Sequence, residues 1–142
     1  MFDTDAMTRD DPDALTTVVV VHADASERSR LVHALEARGH RVVGYASAHT
    51  AIASMTLPRR TVLLVDHDLQ EMSGIDFIDE IRARGLRLPT IMTVPMHAVQ
   101  AAVQAIRTGA TDVLEEPLDD AVLEQSVRQA LARNGDQDPE TV

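Results

Sequence analysis

No lysine occurs anywhere in the 142 residues; all 13 basic side chains are arginine. A site that normally draws on a compact, flexible ammonium group must therefore find its cation elsewhere or do without one. Cysteine is also absent, which excludes disulfides and thiolate metal centres. Trp is missing, and Phe and Tyr amount to only two and one residues. With so little to stack on bases and a net charge of −10, a nucleic-acid partner is not expected. The same scarcity means that the core is built from Val, Leu, Ile, Ala and Met. No apolar run approaches the ~20 residues of a membrane-spanning helix, and the acidic N-terminus does not resemble a secretory signal. A cytoplasmic protein with no membrane contact is the expectation.

What is present is one domain's worth of chain, with 44% hydrophobic and 25% charged residues. Residues 1–15 and 134–142 are polar and acidic and are expected to be solvated tails flanking a domain over 16–133. Between them, apolar runs of strand length alternate with helical periodicity. Thr17–Ala23, Arg41–Tyr45, Thr61–Asp66, Thr90–Val94 and Asp112–Glu115 are expected as strands. Helices are expected after each. The first is capped by Ser26, carries Leu31 and Leu35 inward and ends at Gly39; the second covers Ala48–Met55. The third spans Gly74–Arg84 with Ile75, Ile78 and Ile81 on one face, and Val99, Val103 and Ile106 mark the fourth. The last, Asp119–Arg133, has Val122, Leu123, Val127, Ala130 and Leu131 as its inward stripe. Strands that read as unbroken Val/Leu/Ile runs belong to a parallel sheet covered on both faces, so the fold class is α/β with right-handed crossovers. The six Met read as core filler, and Arg59-Arg60 as part of a solvated loop.

In such sheets the working site lies beyond the carboxyl ends of the strands. This directs attention to His22-Ala23-Asp24, Asp66-His67-Asp68, Val94-Pro95 and Glu115-Glu116-Pro117. At and between these strand ends, the order and spacing of Val-Leu-Leu-Val-Asp66, Met72-Ser73-Gly74, Leu88-Pro89, Gly109-Ala110 with Asp112, and Glu116-Pro117-Leu118 resemble the receiver domain of two-component response regulators over roughly residues 16–133. The resemblance implies a single (βα)5 doubly wound sheet of strand order 2-1-3-4-5. It also implies a phosphoacceptor at Asp66 and a cis peptide before Pro117, in a signalling domain and not an enzyme.

Set against that family, the site is expected to be degenerate. The acidic pair that helps hold Mg²⁺ falls on His22 and Ala23, the Ser/Thr position on Val94, the aromatic switch position on Val113 and the lysine on Glu116. Thr93, next to Val94, is expected to face the other side of the sheet. Mg²⁺ wants several oxygen ligands that His and Ala do not offer, so the expectation is no cofactor, with Mg²⁺ as the alternative; Asp24, Asp66 and Asp68 are weak metal candidates. A transition-metal cluster drawn from His22, Asp24, Asp66, His67 and Asp68 is a minor alternative, as is a protonated His22 standing in for the missing cation. Asp66-His67-Asp68 also matches the Asp-x-Asp of haloacid-dehalogenase-type phosphatases, a weak alternative in a chain without Lys. Swapping Lys for Glu beside a phosphoryl group is unfavourable by several kcal/mol, roughly 4 kcal/mol for each pair of unit charges at about 4 Å. The expectation is therefore a stand-alone atypical receiver working by protein contacts, with a slow but conventional phosphorylated switch as the alternative. Its partner would be a histidine kinase or a downstream signalling protein. The family's usual interface, formed by the fourth helix, fifth strand and fifth helix, maps to Val99, Ala102, Arg107, Leu118 and Asp119 and also allows a homodimer.

Overall fold

The Val-rich run forms strand β1 (Thr16–Val21), from which Val18 and Val20 point to one face of the sheet and Val19 and Val21 to the other, all four buried. Burial on both faces is the reason the strand shows no polar alternation. In this computed structural model, residues 16–54 and 60–136 are described. Strands β2 (Arg41–Tyr45), β3 (Arg60–Asp66), β4 (Thr90–Val94) and β5 (Asp112–Glu115) complete a parallel sheet of order β2-β1-β3-β4-β5. This is the α/β class and the strand order that the sequence led us to expect. The chain reverses direction across the sheet between β1 and β3, which places the loops after those two strands side by side.

Helices α1 (Ala25–Glu36) and α5 (Asp120–Asp136) cover one face, packing Leu31, Leu35, Leu123 and Val127 on Val18, Val20, Val62, Leu64, Ile91 and Leu114. Helices α2 (Ala48–Ser54) and α3 (Gly74–Ala83) cover the other with Ala48, Ala51, Phe77 and Ile81, and helix α4 (Val99–Thr108) adds Ala105 beside Met92 and Val94.

Several local expectations are corrected. The cap of α1 is Asp24, whose side chain accepts the Ser26 N–H, so Ser26 lies inside the helix. The final helix continues past Arg133 to Asp136, through the residues expected to open the C-terminal tail. Arg60 opens β3 and is not a loop residue. Val99, Val103 and Ile106 face outward, leaving Ala105 as the buried anchor of α4, and Val122 is likewise exposed on α5. Residues 1–15, Met55, Arg59 and 137–142 lie outside the described residues.

Candidate functional site

Side chains on one sheet face recur every second residue, and in-register parallel neighbours point the same way. The face that carries Val18 and Val20 therefore carries His22 just past β1. Val62 and Leu64 lead likewise to Asp66, Ile91 to Thr93, and Leu114 to Glu116. The register pairs Asp66 with Thr93. Four polar side chains thus converge at the carboxyl ends of β1, β3, β4 and β5.

Asp66 is buried, and the Thr93 hydroxyl donates to its Oδ1 at 2.8 Å. This corrects the expectation that Thr93 faces away and that the hydroxyl position is occupied by Val94. The alternation that seemed to exclude Thr93 is what aims it at Asp66, while Val94 packs on Ile78 and Ala105 on the opposite face. The sequence signal was the lone polar residue within an otherwise apolar stretch, Thr93 in Ile-Met-Thr-Val.

His22 is held rigidly. Its backbone N–H donates to Tyr45 O at 3.1 Å, its carbonyl accepts from Arg28 Nη1 at 2.7 Å, and its Nδ1 accepts the Asp24 N–H at 3.2 Å. The ring consequently turns Nε2 into the cleft, 3.9 Å from Asp66 Oδ1 and 3.7 Å from Glu116 Oε2. Nε2 is buried without a hydrogen-bond partner, and so is Nδ1 of His67, 3.6 Å from the same Asp66 oxygen. Glu116 is half-buried. Desolvation first, and the neighbouring Asp66 charge second, push its carboxyl above the ordinary glutamate value, with His22 opposing them. The peptide bond between Glu116 and Pro117 is cis.

The arginines that line or approach this cleft are engaged elsewhere. Arg28 is bound to the His22 carbonyl, and Arg30 to Glu27 at 2.9 Å and Asp120 at 3.0 Å. The cleft is about 590 Å³ and its walls include Asp24, Pro95 and Met96.

Of the metal candidates, only Asp66 faces the cluster. Asp24 caps α1 at the cleft wall, outside that cluster, and Asp68 is exposed and accepts the Gln70 N–H at 2.9 Å. The three side chains that do come together are His22, Asp66 and Glu116, their nearest polar atoms all within 4.8 Å of one another. Ala23 contributes no ligand atom. Val113 is partly buried against the cluster around Met92. In the expected partner surface, Val99, Arg107 and Asp119 are exposed and Ala102 is half-buried, but Leu118 is buried in the core beside Leu114 and Leu123 and is withdrawn from that surface.

Two structural roles were not read from the sequence. Glu71, in the loop after β3, caps α2 by accepting the backbone N–H groups of Ala48 at 2.6 Å and His49 at 3.3 Å. Gly74 lets α3 begin directly against the end of β3, because a Cβ there would collide with the Asp66 carbonyl oxygen and lie 2.9 Å from Met92 Cε.

Residues 18–128 match the family described as the response regulator receiver domain. The chain is 32% identical over 120 residues to the transcriptional regulatory protein FixJ of Azorhizobium caulinodans, covering 84% of this chain and 57% of that protein. It is 32% identical over 135 residues to the transcriptional regulatory protein ZraR of Escherichia coli, covering 95% of this chain and 30% of ZraR. The chain therefore spans only part of the length of these relatives. The crystallised receiver domain of NtrX from Brucella abortus superposes with a TM-score of 0.75 at 28% identity, over 81% of this chain and 98% of that one. Sheet order, helix placement and sequence kinship agree over the same residues, and the chain belongs to the response regulator receiver domain family, the signalling module of two-component systems.

Proposed function

We propose that this receiver signals through protein contacts and that Asp66 is not a rapid, Mg²⁺-dependent phosphoacceptor. The observation that carries the reading is the carboxylate of Glu116, within 4.8 Å of the site's His and Asp atoms at the position where the family resemblance implies a cation. Phosphoryl transfer depends on positive charge placed around the moving group. At this separation one carboxylate pair repels by about 3.5 kcal/mol at an effective dielectric near 20, before any further negative charge arrives on the phosphoryl oxygens.

Mg²⁺ does not fit the residues present. It favours an octahedral shell of oxygens, and the end of β1 supplies an imidazole nitrogen and an alanine where carboxylates are needed. Contact with a histidine kinase or a downstream signalling protein, in a cytoplasmic setting, is the corresponding role. The α4, β5 and α5 side is the candidate contact face, where Met96, Val99, Val103 and Ile106 are exposed around Arg107. A second copy of this chain is the other occupant that this face would accept.

Thr93 favours a second reading, a slow phosphorylated switch, since its hydroxyl already lies on Asp66. The two readings separate by intact-mass spectrometry after incubation with acetyl phosphate and Mg²⁺. The expected result is no phosphoryl adduct on the wild type, and an Asp66-dependent adduct on the combined His22→Asp, Ala23→Asp, Glu116→Lys variant. Rapid, stable modification of the unaltered chain, lost in Asp66→Asn, would refute the proposal.

A further inference from the structure

We infer that His22, Asp66 and Glu116 form a binding site for one divalent transition-metal ion of the zinc or cobalt(II) class. Among the described residues this is the cluster of His, Asp and Glu whose ligand atoms approach within 4.8 Å of one another, and it assembles from three different strand ends. A tetrahedral ion with ligands at about 2.0–2.1 Å has ligand–ligand edges of roughly 3.3–3.4 Å. The Nε2 distances of 3.7 Å to Glu116 and 3.9 Å to Asp66 are a few tenths of an ångström beyond that, within reach of side-chain rotation.

The independent sign of a ligand is His22 itself. Its side chain is 9% exposed, and its Nε2 has no hydrogen-bond partner although it points between two carboxylates. A buried polar atom left unpaired is costly, and coordination would satisfy it. The His22 backbone is held in advance by the bonds to Tyr45 and Arg28, which lowers the ordering cost of binding. Charge points the same way. Two carboxylates face each other, the nearby Arg28 and Arg30 are committed to other partners, and a dication would balance the pair.

The donor set decides the class of ion. One imidazole nitrogen with two carboxylate oxygens suits zinc, cobalt or manganese and not the all-oxygen preference of Mg²⁺. Glu116 is half-buried at the wall of the open cleft, which gives the ion a route in and leaves room for a water to complete the coordination.

Binding has a proton signature. The Asp24 N–H donates to Nδ1, so the metal-free neutral ring carries its proton on Nε2. When the metal takes the Nε2 lone pair, that proton leaves to solvent and Nδ1 takes one up. The ring stays neutral and the 3.2 Å contact from Asp24 is given up. Occupancy would tie the ends of β1, β3 and β5 together around Asp66, providing a metal-controlled state at the position where related domains are controlled by phosphate.

The test is titration of the chelator-stripped full chain with Co²⁺, followed by visible absorption, and with Zn²⁺ and Mg²⁺ by calorimetry. One Co²⁺ or Zn²⁺ per chain is expected, with weak or no Mg²⁺ binding. His22→Gln and Glu116→Gln should each weaken binding by at least ~10-fold, while His49→Ala, at the exposed pair with Glu71, leaves it unchanged. Glu116→Gln preserves shape at a half-buried position and so reports even where the His22 variant is poorly folded. ¹⁵N NMR of the His22 ring should show the proton moving from Nε2 to Nδ1 on Zn²⁺ addition. Absence of saturable binding at millimolar metal overturns the inference, as does binding indifferent to both site variants or a His22 ring that keeps its tautomer. Phosphorylation is read separately by mass, so failure of the proposed function and failure of this site are distinguishable.

Discussion

Replacing Glu116 by Gln should stabilise the metal-free protein at neutral pH, and the gain should depend on Asp66. The two carboxylates lie within 4.8 Å, where unit charges repel by about 3.5 kcal/mol at an effective dielectric near 20. Glu116 is about one-third exposed and His22 sits between the acids, so solvent and imidazole reduce the net repulsion to roughly 1–2 kcal/mol. Chemical denaturation at pH 7.5 in chelator, for wild type, Glu116→Gln, Asp66→Asn and the double variant, gives this coupling as a double-mutant cycle. The pH dependence follows from the direction of the Glu116 shift. Burial and the Asp66 charge raise its folded pKa above the ordinary value of 4.5, so the folded protein holds the proton more tightly than the unfolded chain does. The cost of ionised Glu116 is therefore fully present above the raised folded pKa and disappears as pH falls to 4.5 and below. The advantage of Glu116→Gln should shrink across the same window. The argument is refuted if Glu116→Gln destabilises, if it gains as much in the Asp66→Asn background, or if its advantage grows toward acid pH.

Thr93→Val should cost ~1.5–3 kcal/mol by removing the hydroxyl donated to a buried carboxylate. Val94→Thr should also destabilise, because it places a hydroxyl in the apolar cluster with Ile78, and it should not restore the Thr93→Val variant; denaturation midpoints check both. Glu71→Ala should lose about 1 kcal/mol of capping at neutral pH. Desolvation raises the Glu71 pKa, but the N–H groups of Glu71, His49 and Ala48 outweigh it and hold the carboxyl below 4.5. That stability is present above 4.5 and lost as pH falls through the depressed folded value, so wild type and variant should converge in acid. Gly74→Ala should cost about 2–3 kcal/mol in the same assay, since its Cβ has no room beside the Asp66 carbonyl.

The sequence determined the architecture because each strand buries both faces, and continuous runs such as Val18–Val21 and Thr61–Val65 state that directly. It also determined the chemical oddity of the site, since the absence of every lysine is a property of composition that no folding can reverse. The tertiary structure decided which polar residues meet. A uniformly buried strand carries no alternation from which to read its facing, so only the pairing of β3 with β4 showed that Thr93, not Val94, reaches Asp66. The outward turn of Val99 and Ile106, the burial of Leu118 and the cap from Glu71 to α2 were hidden for a related reason. Each depends on a contact between elements far apart in the chain, and local periodicity describes only a segment's own faces. The meeting of His22, Asp66 and Glu116 is of that kind: three strands order them along the sequence, and the parallel register alone brings them to one point.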